Sequence, residues 1–260
     1  MHLFLYGKSG TAKTAHVQSA LARLHNMNGL LPIYVSCHEH VTKTAIFNKI
    51  AGELGNSFSS KGFAAYELFG RIKEILENDN KSVLLVLDDF DALLKNEGPD
   101  ILYQIINANE ARKHSFAVIA ISNDIGAFEH LDAKIKSSLM FQVIEFEPYK
   151  KEEIMKMLEA IAEETLVEGS YDEEILDRIA EIGALAEGNT RLAAGLLLET
   201  ARNAEKRSST AIEDRDISEV CERLFLATEV HEPNGSGLSV EELRRISGCP
   251  SFQNGSWQYL

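Results

Sequence analysis

The segment GKSGTAKT at residues 7–14 has the residue types and the spacing needed to bind phosphate groups. Glycines let backbone N–H groups approach an anion closely, and the positive end of a following helix adds to the attraction. We expect Lys13 to contact the outer phosphates and the hydroxyl of Thr14 to be a ligand of Mg²⁺. The segment therefore predicts a phosphate-binding loop (P-loop) for a nucleoside triphosphate. Its predicted nucleotide contacts are Gly7, Lys8, Ser9, Gly10, Thr11, Ala12, Lys13 and Thr14.

The loop departs at one position from the pattern G-x-x-x-x-G-K-[ST], because Ala12 stands in the place of the second glycine. A methyl group there either crowds the backbone near the phosphates or raises the cost of a positive φ. We expect the departure to weaken the motif without abolishing phosphate binding.

Three polar residues that follow apolar runs complete the predicted site. Asp88 ends the run SVLLVLD and is the predicted carboxylate ligand of Mg²⁺, and a second carboxylate, Asp89, stands beside it. Asn123 follows the run FAVIAIS, where its amide can orient the attacking water or contact the outer phosphate. The alternative interpretations are a helix N-cap for the acidic pair and an ordinary turn residue for Asn123.

The elements that position these residues indicate an α/β fold. Short apolar runs alternate with segments of helical period, which is typical of a parallel sheet with crossover helices. Because the runs are apolar nearly throughout, we expect five strands buried on both faces. The predicted strands span 2–6, 31–36, 82–88, 116–122 and 141–146.

After Pro148 the strand-like runs end and four helical segments follow. We therefore predict a P-loop domain over residues 1–147 and a small all-helical lid domain over 148–226, with helix N-caps at Asp172 and Asn189 and a turn at Gly188. Residues 227–260 are rich in glycine and proline and are interpreted as a tail or the remnant of a truncated winged-helix domain.

Composition limits the function classes. The net charge is −14, so we expect no nucleic-acid footprint over the whole surface and only local DNA contact. The three cysteines and eight histidines lack metal-ligand spacing, and no apolar run reaches the roughly 18 to 20 residues that span a bilayer. With no signal peptide at the start, we expect a cytoplasmic protein that makes no membrane contact.

The segments GKSGTAKT, VLLVLDDFDAL, AISND and GNTR together resemble the AAA+ ATPases. More narrowly, the opening strand and loop, IYVSCHEHVTKTAIFNKIAGELG and ISNDIGAFEHLDAKIKSSL are similar to the archaeal replication initiators of the origin-recognition and cell-division-control type. The resemblance covers residues 1 to about 225.

The resemblance implies binding of ATP or ADP with Mg²⁺ and a part in replication initiation, with origin DNA, other initiator subunits and the replicative helicase as partners. It makes Asp88 and Asp89 the Walker B pair, Asn123 the first sensor and Arg191 the second sensor, which contacts the nucleotide. AAA+ ATPases usually have, where Asp89 stands, a glutamate that polarises the attacking water, so the resemblance implies a catalytic role for Asp89 and, because aspartate is shorter, slow hydrolysis. Relatives also carry a segment before the first strand, whereas Met1 here lies almost at the strand. They carry a C-terminal winged helix that supplies most of the DNA contact, whereas here only SVEELRRISG could begin one, so we expect weak DNA binding by this chain alone.

Two alternatives to an initiator ATPase stay open: a catalytically weak nucleotide-sensing adaptor that regulates a full-length initiator, and an AAA+ regulator of a transposition or stress-signalling system. Any DNA contact is expected near residues 38–70, where relatives carry an initiator-specific insertion, although solvated lysines beside core aromatics are the better explanation of that segment. Its basic and aromatic residues are Lys43, Lys49, Lys61 and Arg71, with Phe47, Phe63 and Phe69.

Overall fold

The computed structural model describes residues 2–24, 27–55, 63–110 and 116–229. Within this part the chain forms two compact units, the first ending at Glu147 and the second beginning at Pro148. The first unit is an α/β sandwich around one sheet, and the second is all-helical.

The sheet of the first unit has five parallel strands in the order β2-β3-β4-β1-β5. The predicted five-stranded α/β fold is therefore confirmed. The strands are β1 (His2–Tyr6), β2 (Leu30–Ser36), β3 (Ser82–Asp88), β4 (Phe116–Ser122) and β5 (Phe141–Glu145).

Seven helices accompany these strands in the described part of the first unit. They are α1 (Lys13–Leu24), α2 (Lys43–Glu53), α3 (Ala65–Asn78), α4 (Phe90–Glu97), α5 (Asp100–Glu110), α6 (Gly126–Glu129) and α7 (Ala133–Leu139). The apolar periodicity predicted α1, α2, α3 and α5, whereas the shorter α4, α6 and α7 were not predicted.

The two faces of the sheet are covered by different helices. On one face β3 contributes Val83, Leu85 and Leu87 to a large core that also contains Phe47 of α2 and Phe69 of α3. On the other face Val86 packs in a smaller core with Val17 of α1. This two-sided burial explains why β3 is apolar throughout.

The expectation that all five strands are buried on both faces is wrong for β5. Gln142 and Val143 are exposed, because β5 lies at the edge of the sheet and pairs only with β1. An edge strand tolerates polar and exposed side chains that a central strand does not.

The second unit consists of four helices in its described part, as predicted for the lid. They are α8 (Lys151–Thr165), α9 (Glu173–Leu185), α10 (Thr190–Lys206) and α11 (Asp214–Glu229). The predicted caps are confirmed, since Asp172 accepts a hydrogen bond from the backbone N–H of Ile175 and Asn189 accepts one from that of Leu192. The tail prediction for 227–260 falls, from residue 230 onward, outside the described residues.

Two further sequence expectations concern cysteines and membranes. Cys37 and Cys221 are buried free thiols, while Cys249 lies outside the described residues. Among the described helices, none combines the length and the apolar character that crossing a bilayer requires.

One buried histidine gives the first unit a pH-dependent stability. The Nδ1 atom of His2 in β1 accepts a hydrogen bond from the backbone N–H of Val118 in β4, at 3.1 Å, and the side chain is buried. Burial lowers the pKa of His2 from 6.5 to about 4. The folded chain therefore holds a neutral imidazole at pH values where the unfolded chain is protonated.

We expect this contribution to the free energy of unfolding to be complete above pH 6.5 and to be lost as the pH falls toward 4. By pH 5 the loss should be about 2 kcal/mol. Urea unfolding at pH 7, 6 and 5 measures it, with His2→Gln as the control because glutamine keeps an acceptor that does not titrate. An identical pH dependence in both proteins would contradict the assignment.

Candidate nucleotide-binding site

The predicted site residues of the first unit lie where the strands of the sheet end, at their carboxyl ends. Strands β3, β4 and β1 are neighbours, and their ends are in register, with Leu87 opposite Ala120 and Tyr6 opposite Ser122. Asp88, Asn123 and Gly7 are therefore located at the carboxyl ends of three adjacent strands. Ligands of open parallel α/β sheets bind at these ends.

The loop between β1 and α1 has the backbone conformation that its glycines suggested. Gly10 has φ +83° and Ala12 has φ +57°. Of the two consequences considered for Ala12, the structure shows the positive φ, which costs an alanine about 1–2 kcal/mol. The chain adopts the loop despite this cost.

Lys13 is buried inside the loop, with 6% of its surface exposed. Its ammonium group donates to the carbonyl oxygens of Gly7 and Lys8, at 2.7 and 2.8 Å. The hydroxyl of Thr11 also donates to the carbonyl of Lys8, at 2.8 Å, and so braces the loop. The buried cation at the start of α1 is the group that an outer phosphate requires.

Thr14 and Asp88 are brought together across the site. The Thr14 hydroxyl donates to Oδ2 of Asp88, at 2.8 Å, and the Asp88 side chain is buried. A hydroxyl and one carboxylate fit Mg²⁺, which prefers oxygen ligands and is commonly held by one or two carboxylates together with substrate phosphates. The described residues contain no cluster of three or more acidic, histidine or cysteine side chains of the kind that holds a metal without a nucleotide.

Asp89 precedes α4 and has a left-handed backbone, with φ +54° and ψ +48°. Although it occupies the N-cap position, its side chain makes no capping hydrogen bond, so the N-cap interpretation does not account for this carboxylate. Burial, and then the negative charge of Asp88, raise the pKa of Asp89.

Two residues of this site were not predicted from the sequence. The hydroxyl of Tyr34 in β2 donates to Oδ2 of Asp88, at 2.6 Å. The Nε2 atom of His38, in the turn after β2, lies 3.7 Å from Oδ2 of Asp89. Both contacts depend on the pairing of β2 with β3, which the sequence pattern does not specify.

The two predicted sensor residues lie in different units. Asn123 is exposed directly after β4, and the neighbouring Ser122 hydroxyl donates to the carbonyl of Asp124, at 3.0 Å. Arg191 is exposed in the first turn of α10, in the second unit. The roles of both residues stay predictions.

The segment suggested for DNA contact has much of its aromatic surface in the core. Phe47 and Phe69 are buried and stack at 4.8 Å between ring centroids, so neither is available to nucleic-acid bases. Lys43 forms an ion pair with Asp100, at 2.9 Å. Lys61 lies outside the described residues. The explanation by solvated lysines beside core aromatics accounts for these described residues better than base stacking does.

Comparison with known families identifies both units. Residues 1–125 match the AAA domain, and residues 155–222 match the Cdc6 AAA+ ATPase-type lid domain. The ORC1-type DNA replication protein of Thermococcus kodakarensis is 30% identical over 233 residues, covering 86% of this chain and 56% of that protein. ORC1-type DNA replication protein 1 of Sulfurisphaera tokodaii is 34% identical over 209 residues, covering 79% of this chain and 52% of that protein. The chain thus spans a little over half the length of these curated relatives.

Solved structures agree with the sequence relatives. The crystal structure of Cdc6p from Pyrobaculum aerophilum has a TM-score of 0.75 at 25% identity, covering 85% of this chain and 60% of that one. The Aeropyrum pernix ORC1 protein, solved in complex with DNA, has a TM-score of 0.74 at 26% identity, covering 95% and 70%. From the AAA domain, the Cdc6-type lid and these relatives, we conclude that the chain belongs to the AAA+ family and, within it, to the archaeal Orc1/Cdc6 type.

Proposed function

We propose that the chain is a nucleotide-dependent switch of DNA replication initiation that binds ATP or ADP with Mg²⁺ and hydrolyses ATP slowly. The observation that carries this proposal is the arrangement of Lys13, Thr14 and Asp88. One buried cation and a pair of oxygen ligands lie together at the carboxyl edge of the sheet.

Each residue has a distinct part in this proposal. Main-chain N–H groups of residues 7–14 and the ammonium of Lys13 bind the phosphates, while Thr14 and Asp88 hold Mg²⁺. When bound, Mg²⁺ neutralises charge on the phosphate oxygens. Asp89 and Asn123 orient the attacking water. We assign Arg191 to nucleotide contact by the same resemblance to the AAA+ initiators.

Slow hydrolysis follows from the side chain at position 89. Aspartate is one methylene shorter than the glutamate usual in AAA+ ATPases, and a displacement on the order of 1 Å can cost about 100-fold in rate. Because burial raises the pKa of Asp89, its carboxylate is also protonated at a higher pH than an ordinary aspartate. Any hydrolysis that uses this carboxylate as a base should therefore begin to fall at a higher pH when the solution is acidified.

We expect Asp89→Ala to lower the rate of phosphate release from ATP at least about tenfold, because a positioned base typically contributes 100-fold or more. Nucleotide affinity should stay within about threefold of the parent. Single-turnover hydrolysis and equilibrium binding measure the two quantities. The matched control is Asp91→Asn, which removes a nearby carboxylate that the Ser122 hydroxyl approaches at 3.3 Å. Equal rates for the parent and Asp89→Ala would show that Asp89 is not catalytic.

The biological role is inferred from the relatives. The curated relatives are ORC1-type DNA replication proteins, and one structural relative was solved with DNA. We propose that this chain likewise acts with origin DNA, other initiator subunits or the replicative helicase. A net charge of −14 makes tight, sequence-independent DNA binding by this chain alone unfavourable.

DNA binding under two nucleotide conditions tests that role. Affinity for duplex DNA, from sites bound by a full-length initiator of the same organism, should differ between Mg·ATP and Mg·ADP and should fall steeply with salt. A random duplex of equal length is the control. Equal affinity for both duplexes under both conditions would contradict a direct DNA role.

A second candidate is the nucleotide-sensing adaptor, which binds nucleotide but regulates a full-length initiator through protein contacts. The short carboxylate at position 89 favours it, because a sensor needs binding more than turnover. Turnover at the rate of active AAA+ ATPases, lost in Asp89→Ala, would exclude it.

A further inference from the structure

The carboxylate of Asp88 is held by more than the P-loop. Its Oδ2 atom accepts two hydrogen bonds, from the Thr14 hydroxyl at 2.8 Å and from the Tyr34 hydroxyl at 2.6 Å. Its Oδ1 atom accepts the backbone N–H of Asp89, at 3.1 Å. With only 5% of its surface exposed, Asp88 depends on these donors rather than on water.

The register of β2 against β3 brings Tyr34 to this carboxylate. Tyr34 is opposite Val86, and Ser36 is opposite Asp88. Side chains two residues apart on a strand share a face, so Tyr34, Val86 and Asp88 all lie on the face covered by α1. The Tyr34 ring extends diagonally along the sheet to reach the next pleat, where Asp88 is located.

Packing fixes the ring in this direction. Tyr34 contacts the small core that contains Val17 of α1 and Val86 of β3. Elsewhere, Tyr34 lines an open cavity of about 320 Å³ together with Gln18, Leu21 and Pro32. Because phenylalanine has the same ring, it would keep the packing against the small core and remove only the hydroxyl.

The Tyr34 hydroxyl is a neutral donor near pH 7, because the ordinary pKa of a tyrosine side chain is about 10. A neutral phenol next to a carboxylate makes a charge-assisted hydrogen bond, which is stronger than one between neutral groups.

We propose that Tyr34 is a positioning residue for the magnesium site, holding the Asp88 carboxylate in the orientation in which it takes the metal. This inference rests on the proposed nucleotide function. Thr14 has to serve both the metal and Asp88, whereas Tyr34 serves the carboxylate alone. Removal of such a supporting hydrogen bond typically lowers metal affinity 10- to 100-fold.

The test is the Mg²⁺ dependence of nucleotide binding in Tyr34→Phe. A fluorescent ADP analogue is titrated at a series of Mg²⁺ concentrations and, separately, in EDTA. We expect the Mg²⁺ concentration for half-maximal effect to rise about tenfold, with affinity in EDTA unchanged within about twofold. The control Tyr103→Phe removes a tyrosine–carboxylate hydrogen bond to Asp132, outside the site, and should change neither quantity.

A double variant separates positioning from general damage. In an Asp88→Asn background, Tyr34→Phe should produce no further shift in the Mg²⁺ midpoint, because the carboxylate it holds is gone. An unchanged midpoint in Tyr34→Phe, an equal loss of affinity in EDTA, or binding by the parent that ignores Mg²⁺ would each overturn the proposal. If the parent binds no nucleotide at all, the proposed function itself fails, and this result is distinguishable from the others.

Discussion

Lys13→Ala is expected to abolish retention of ATP and ADP, with affinity reduced at least about 100-fold. The ammonium group is buried in the loop and is held by the carbonyls of Gly7 and Lys8. Its charge-assisted bonds to phosphate oxygens would be lost, and removing one partner of a buried charge pair commonly costs about 3 kcal/mol or more. That cost corresponds to a factor of at least about 100 in Kd.

The measurement is equilibrium binding of labelled nucleotide with Mg²⁺, together with the nucleotide content of the purified protein. Lys8→Ala is the matched control, since Lys8 belongs to the same loop but its side chain is exposed and its predicted contact uses the main chain. We expect Lys8→Ala to bind within about tenfold of the parent. Normal retention by Lys13→Ala would remove the phosphate assignment.

The second large effect is expected from Gly7→Ala, which should lower the free energy of unfolding by about 2–4 kcal/mol and displace the P-loop. A Cβ atom at this position would lie 2.3 Å from the carbonyl oxygen of Phe146 and 3.0 Å from its Cβ. The contact is with backbone, and Phe146 is itself fixed by its N–H bond to the carbonyl of Tyr6, at 2.7 Å. Neither Gly7 nor Phe146 can move away without disturbing the β1–β5 pairing.

Urea unfolding and nucleotide binding measure the two consequences of this substitution. Gly70→Ala provides the matched control, because Gly70 lies in α3 and an added Cβ there meets no atom within 4 Å. Alanine in a helix interior is better than glycine by about 0.5–1 kcal/mol, so this variant should be stabilised. A Gly7→Ala protein as stable as the parent would show that the loop can shift freely.

The sequence predicted the fold because its signals are local and repeated. Apolar runs such as SVLLVLD and FAVIAIS form the central strands β3 and β4, and they are apolar throughout because other elements cover both of their faces. The glycine pattern and Lys13 predicted the P-loop, and the acidic residue that ends β3 predicted a metal ligand, a role that stays a prediction. The one error, burial of β5 on both faces, arose because hydrophobicity does not reveal which strand lies at an edge.

The unpredicted parts of the site depend on pairing between distant segments. In the sequence, Tyr34 looks like an ordinary strand tyrosine. Only the register of β2 against β3 shows that its hydroxyl reaches Asp88. The same holds for the close approach of Gly7 to Phe146, which requires β5 to lie beside β1. Short helices such as α4 were also not predicted, because eight residues are too few to show a clear helical periodicity.

Above all, we propose that the carboxyl ends of the strands in this sheet bind a nucleotide together with Mg²⁺. Calorimetric titration of the purified, nucleotide-stripped chain with ADP, in Mg²⁺ and in EDTA, tests it most directly. We expect binding of one nucleotide per chain, tighter in Mg²⁺ than in EDTA and absent from Lys13→Ala. No heat of binding from a correctly folded parent chain, or equal binding by Lys13→Ala, would contradict it.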